Sequence, residues 1–124
     1  MRNAATQKPV TWQQARESGT ALFVWRRNIG LNRCVFARLS NFSERTLATY
    51  EKQKKLSAPV QAQVTEAVRL VKALLELIPA EDLPVWLQKP NPGFKDRSPW
   101  TLIENGERDV IWEMIHQTRH GAFA

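Results

Sequence analysis

Two histidines, His116 and His120, stand four residues apart and would share one face of a helix, the spacing of a pair of metal ligands. A zinc site of that kind needs a neighbouring Glu and a third ligand, and neither accompanies His116 in the required pattern. The pair reads as solvated residues near a helix C-terminus, where cations are mildly favoured. Cys34, the single cysteine, has no second thiol for a disulfide or a zinc site and reads as a small buried apolar residue. No glycine loop suited to cradling a phosphate occurs, nor a Ser or Cys set beside a plausible base. An enzyme, a metal site and a cofactor are therefore not expected, and the chemistry to look for is recognition.

Residues 32–50 have the layout of two short helices separated by a tight turn, the arrangement that lays a second helix in a DNA major groove. Ala37 is small where the helices must approach, and Asn41 stands where the turn needs a left-handed residue. The second helix would expose Ser43, Glu44, Arg45, Thr46 and Thr49. Arg45 is the candidate for a bidentate contact to guanine. Lys52, Lys54 and Lys55 follow that helix and suit phosphates, because an ammonium is a point charge; Arg33 and Arg38 could do the same from the first helix. Glu44 and Glu51 would oppose phosphates if they pointed the same way. A helical hairpin with a solvated basic face is the plainer reading of the same residues.

Five large aromatic residues lie within the last 39 positions: Trp86, Phe94, Trp100, Trp112 and Phe123. Large aromatics serve small cores and also anchor protein interfaces. The loop 89–97 is stiffened by Pro90 and Pro92 and tipped with Phe94, which predicts a fixed surface presented without ordering cost. The tail 121–124 reads as frayed, or as a segment able to enter a cleft.

The elements that must hold these residues are all predicted to be helices, since apolar residues recur at spacings of three and four. Thr11 and Gln14 have capping-box spacing, opening a helix that Gly19 ends. A second apolar group contains Leu22, Phe23, Trp25 and Ile29. The next two helices are the pair at 32–50, the second capped by Ser43 and running to about Lys52. Ser57 and Pro59 start the longest helix, which carries Val60, Val64, Ala67, Val68, Val71, Leu74, Leu75 and Ile78 and stops at Pro79. A short helix over about 82–88 follows. Ser98-Pro99 then starts another, Gly106 ends it, and a last helix runs from about Glu107 to His120. Residues 1–10 are predicted to be a loose arm. The expected division is this arm, a DNA-binding region over 11–57 and a helical region over 58–124, folding as one cooperative unit.

Charge separates the same two stretches. The 124 residues carry a net charge of +6, but residues 1–55 hold eleven Lys or Arg against three Glu, a balance of +8, and the remainder seven against nine, a balance of −2. A basic field attracts polyanions and releases their counterions, whereas a mildly acidic surface gains nothing from a phosphate backbone. No apolar run is long enough to span a bilayer, and the N-terminus lacks the apolar core of a signal peptide. A cytoplasmic protein with no membrane partner is expected.

Trp86-Leu87, Pro90-Asn91-Pro92-Gly93-Phe94, Arg97-Ser98-Pro99, Leu102-Ile103, Gly106-Glu107 and Asp109-Val110 occur in a spacing that resembles the toxin-binding domain of Xre/MbcA/ParS antitoxins. Together with the upstream helix pair, which resembles an Xre-like helix-turn-helix, the likeness covers about residues 20–120. It implies an all-α chain in which an Xre-like helix-turn-helix bundle precedes a small helical toxin-binding domain. It further implies a partner, a RES-domain toxin that consumes NAD, whose active-site entrance the C-terminal half covers. The N-terminal half would form a homodimer and bind the operon's own promoter DNA. Carried across by position, the toxin-facing candidates are Trp86, Asn91, Phe94, Arg97, Ser98 and the stretch after Asp109, with Trp112, His116, Arg119 and Phe123. Gly93 replaces a usual Ala, Lys95-Asp96 a small Gly-rich pair and Trp100 a common Leu. A second reading is a stand-alone transcriptional regulator whose C-terminal half only dimerises.

Overall fold

The computed structural model describes residues 9–120. The arm predicted over 1–10 lies mostly outside them, as do Phe123 and the tail 121–124. Among the described residues there are eight α-helices and no β-strand, so the fold is all-α.

Helix α1 (Trp12–Glu17) opens with the capping box that the sequence predicts: Thr11 Oγ1 accepts from Gln14 N–H at 3.1 Å, and Gln14 Oε1 accepts from Thr11 N–H at 2.9 Å. Its end differs from expectation. Ser18 closes α1 and caps α2 (Gly19–Asn28), so Gly19 begins a helix where a helix stop was expected. The reason for glycine here is proximity, since a Cβ at position 19 would lie 1.7 Å from the Tyr50 carbonyl oxygen. The α2 backbone thereby rests directly on the chain leaving α4, and Thr20 N–H donates to Gln53 O at 3.1 Å.

Helices α3 (Arg33–Ser40) and α4 (Glu44–Tyr50) follow, then the long α5 (Ala58–Leu75), which starts with Pro59 in its first turn and ends before Pro79. A 3-10 turn (Ala80–Asp82) leads into α6 (Leu83–Gln88), and a second (Pro92–Phe94) lies in the proline loop. Helices α7 (Pro99–Glu104) and α8 (Arg108–Arg119) complete the chain.

Burial follows the predicted apolar stripes. Val64, Ala67, Val68, Leu70, Val71 and Leu74 make one face of α5 fully inaccessible. That face is the common wall of the molecule, because α1 and α3 pack against α5 from one side of the sequence and α8 from the other. The buried residues of α1–α4 (Ala15, Leu22, Phe36, Leu39, Leu47) and of α6–α8 (Leu83, Leu87, Leu102, Ile111, Ile115) form one continuous hydrophobic cluster. Cys34 is exposed, contrary to the expectation of a buried apolar residue. It falls on the outer face of α3, while Val35, Phe36 and Leu39 take the inner one.

No helix of the described residues is long and apolar enough to cross a membrane.

Candidate functional site

The pair α3–α4 is built by its caps and its turn. Asn32 Oδ1 accepts from Val35 N–H at 2.9 Å to start α3, and Ser43 Oγ accepts from Thr46 N–H at 3.0 Å to start α4. Between them Asn41 adopts the predicted left-handed conformation, φ 61° and ψ 32°. Its N–H and that of Phe42 donate to carbonyls of the last turn of α3. Ala37 is buried where the two helices meet, and Phe42 packs edge-on against Tyr50 at 5.1 Å, bracing α4 at both ends.

This scaffold leaves Ser43, Glu44, Arg45 and Thr49 exposed and Thr46 half-buried. The Arg45 side chain forms no ion pair among the described residues, and its backbone carbonyl accepts from Thr49 Oγ1 at 3.2 Å. Lys52, Lys54 and Lys55 are exposed in the segment after α4. Lys54 and Lys55 border a recess shared with α1 and the start of α2, so they lie toward the first two helices.

Three charged residues of this region have other duties than the sequence predicts. Glu51 does not face outward to repel phosphates: its side chain is 2% exposed and accepts from Arg26 Nε at 2.7 Å and Arg33 Nε at 2.9 Å. Arg33 is thus half committed to an internal ion pair. Arg38 turns to the C-terminal half, where its Nη2 donates to Glu104 at 2.6 Å and its guanidinium lies 4.3 Å from the Trp100 ring centroid. It ties α3 to α7 rather than presenting a free cation.

At the other end, the loop 90–97 closes on itself. Asn91 and Arg97 form a bridge, Asn91 Oδ1 accepts from Gly93 N–H at 2.8 Å, and Asn91 O accepts from Phe94 and Asp96 N–H. Asn91 therefore shapes the loop. Lys95 and Asp96, which replace a Gly-rich pair of the antitoxin pattern, both have positive φ, 57° and 62°. Phe94 does not tip the loop: it is 3% exposed and meets Trp86 edge-on at 6.3 Å. Stiff loop geometry folds the ring inward, and the exposed apolar side chain nearby is Val85, at 59%. Arg97 pairs with Glu107 at 2.9 Å, and Ser98 Oγ caps α7 by accepting from Thr101 N–H at 3.2 Å.

The outer face of α8 remains open. Trp112, His116 and Arg119, spaced for one helix face, border a recess of about 380 Å³ with Asp109 and Glu113. Trp112 is half-buried and sits where this recess meets two others, one lined by Glu66 and Arg69, the other including Trp12, Lys72 and Arg119. The Trp12 ring carries Arg16 at 5.4 Å and Lys72 at 5.3 Å, and Arg119 reaches Glu76 at 3.2 Å. Trp12, Arg69 and Lys72 are absent from the sequence-derived candidates. Periodicity places Lys72 and Arg69 on the polar side of α5, but only the packing of α1 and α8 against α5 brings them beside Trp112.

His116 and His120 meet with ring centroids 4.2 Å apart and planes inclined by 60°, and His120 Nδ1 lies 2.8 Å from the His116 carbonyl oxygen. Among the described residues no group of three or more His, Cys, Asp or Glu could hold a metal ion. At the start of α8, Arg108 Nη2 donates to the Leu39 carbonyl, and burial pushes the guanidinium below its usual pKa, with Glu66 acting the other way. Comparisons of the chain with protein families, with curated proteins and with solved structures give no match.

Proposed function

We propose that the chain is an antitoxin that sterically blocks a NAD-consuming RES-domain toxin and represses its own operon by binding promoter DNA as a homodimer. The observation that carries the toxin-binding half is the outer face of α8, where Trp112 stands among three recesses with His116 and Arg119 exposed beside it. A half-buried tryptophan ringed by charged side chains has the make-up of an interface anchor. A standard interface of roughly 800 Å² per partner would extend from it to the loop 90–97, where Trp86 and Val85 offer further apolar surface. Phe94 and Ser98 support that surface from within.

The DNA-binding half rests on α4, a capped helix whose exposed side carries an arginine, Arg45, with no ion-pair partner among the described residues, and which has lysines after its end. Burial of Glu51 removes one of the two carboxylates that would have opposed a phosphate backbone there.

Residues 90–124 cannot be deleted as a test, because Trp100, Leu102, Ile103, Ile111 and Ile115 belong to the core. The experiment is co-expression with the adjacent open reading frame, which this reading expects to encode a RES-domain toxin, comparing the native chain with a His116→Glu, Arg119→Glu double variant. Co-purification and growth rescue by the native chain, and loss of both in a variant that keeps its melting temperature, are expected. Undiminished rescue by the folded variant would remove α8 from the interface. Absence of any complex, with intact promoter binding, would favour a stand-alone regulator.

A further inference from the structure

The end of α2 and the start of α3 enclose a recess of about 420 Å³ whose walls include Phe23, Arg26, Arg27, Asn32 and Arg33. Three guanidiniums around one small volume repel each other unless counter-charge is supplied. Glu51 supplies one negative charge, and it is shared by Arg26 and Arg33. Arg26 is spent internally: Nε and Nη2 donate to Glu51 and Nη1 to the Leu31 carbonyl. Arg33 uses only Nε on Glu51, at 2.9 Å, and its side chain is 39% exposed. Arg27 is exposed, has no carboxylate partner among the described residues, and is held over the Phe23 ring at 5.4 Å.

Phe23 thus orients two cations on one ring, Arg26 lying at 5.3 Å. None of the residues lining the recess is acidic. Three arginines against Glu51 leave two positive charges uncompensated. The first turn of α3 contains no acidic residue and forms part of the same wall. At the turn, Gly30 has φ +82° and open space where a side chain would stand, so the mouth is unobstructed.

We infer that this recess is an oxyanion site for a phosphate group, bound by Arg27 and the free guanidinium nitrogens of Arg33 and oriented by Phe23 and Asn32. Planar guanidiniums bind phosphate oxygens in pairs, and fixing them beforehand on a ring and a buried carboxylate lowers the ordering cost of binding. The phosphate could come from a nucleic-acid backbone or from a free phosphorylated solute. The backbone source rests on the DNA-binding reading of α3–α4; the oxyanion site does not.

The test uses the full chain and the Arg27→Gln variant, with Lys89→Gln as a control of equal charge change on the proline loop. The first arm measures Tm with pyrophosphate against sodium chloride of matched ionic strength. At ten times Kd a rise of about 4 °C is expected for the native chain and for Lys89→Gln, and none for Arg27→Gln. The second arm measures DNA affinity against salt. Loss of one phosphate contact should lower the slope of log K against log salt by about 0.9, equally for promoter and unrelated duplexes. Both effects together identify a backbone phosphate. A pyrophosphate effect with an unchanged DNA slope assigns the site to a free phosphate compound. A reduced DNA slope alone still supports a phosphate contact at Arg27. An equal pyrophosphate response in native and Arg27→Gln chains, or no response, with an unchanged slope overturns the site. If the native chain binds no DNA, the reading of α4 fails, and the pyrophosphate arm decides the recess by itself.

Discussion

Single side chains in this molecule are constrained most tightly where charge or backbone is buried. Glu51 neutralises Arg26 inside the protein, with Arg26 4% exposed, and removing one partner of such a pair leaves the other charged and desolvated. Glu51→Gln is expected to cost about 3–5 kcal/mol in urea unfolding. A loss under 1 kcal/mol would mean that Arg26 finds water or another acceptor. Gly19→Ala drives a methyl group into the Tyr50 carbonyl, which cannot swing aside as a side chain could. A loss of about 3 kcal/mol is expected, and a native-like denaturation midpoint would contradict the close approach. Trp100 presents the opposite case. Its ring is buried under Arg38, but its Nε1–H has no acceptor among the described residues. Trp100→Ala should cost about 3–5 kcal/mol, whereas Trp100→Phe, which loses volume but also an unpaired donor, should cost less than about 1 kcal/mol.

Elements were the most legible level, because helix ends are local chemistry. Thr11 with Gln14, Ser43, Ser98 with Pro99, and Asn41 in the turn all declare themselves by residue type and act as expected. Gly19 misleads for a physical reason: glycine marks either a left-handed residue or a close approach, and only the partner chain segment distinguishes the two. Phe94 escapes the sequence because a stiff loop fixes its ring's direction without revealing which direction, and the ring points at Trp86. Arg38 and Arg33 look like free cations in the sequence because their carboxylate partners lie 66 and 18 residues away. The proline loop offers a prediction at this scale. Lys95 and Asp96 sit consecutively in left-handed backbone at about 1 kcal/mol each, so Asp96→Gly should raise stability by up to about 0.5 kcal/mol after the greater freedom of unfolded glycine is counted. A destabilised Asp96→Gly chain, read from its thermal melt, would show that the Asp96 side chain contributes more than the backbone loses.

Across the whole molecule, the charge division at residue 55 does not correspond to a division of the core. Helix α5 is buried by α1 and α3 as much as it supports α8, and Arg38 and Arg108 cross from one half to the other. The chain should therefore unfold in a single transition, with fluorescence and far-UV dichroism midpoints coinciding. A fragment of residues 1–57 should give no cooperative melt, because Ala15, Phe36 and Leu39 would lose the α5 wall. A sharp transition in that fragment would establish an autonomous first half. The exposed Arg38–Glu104 pair itself is a minor contributor, and Glu104→Ala should change stability by no more than about 1 kcal/mol.

The one sulfur nucleophile of the chain, on the solvent side of α3 and adjacent to Arg33, gives the molecule a ready-made attachment point. A maleimide dye or nitroxide placed there would mark every copy at one position, without prior mutagenesis. It would report from within the helix pair itself on duplex approach and on self-association, as a site-specific signal beside the summed fluorescence of the five tryptophans.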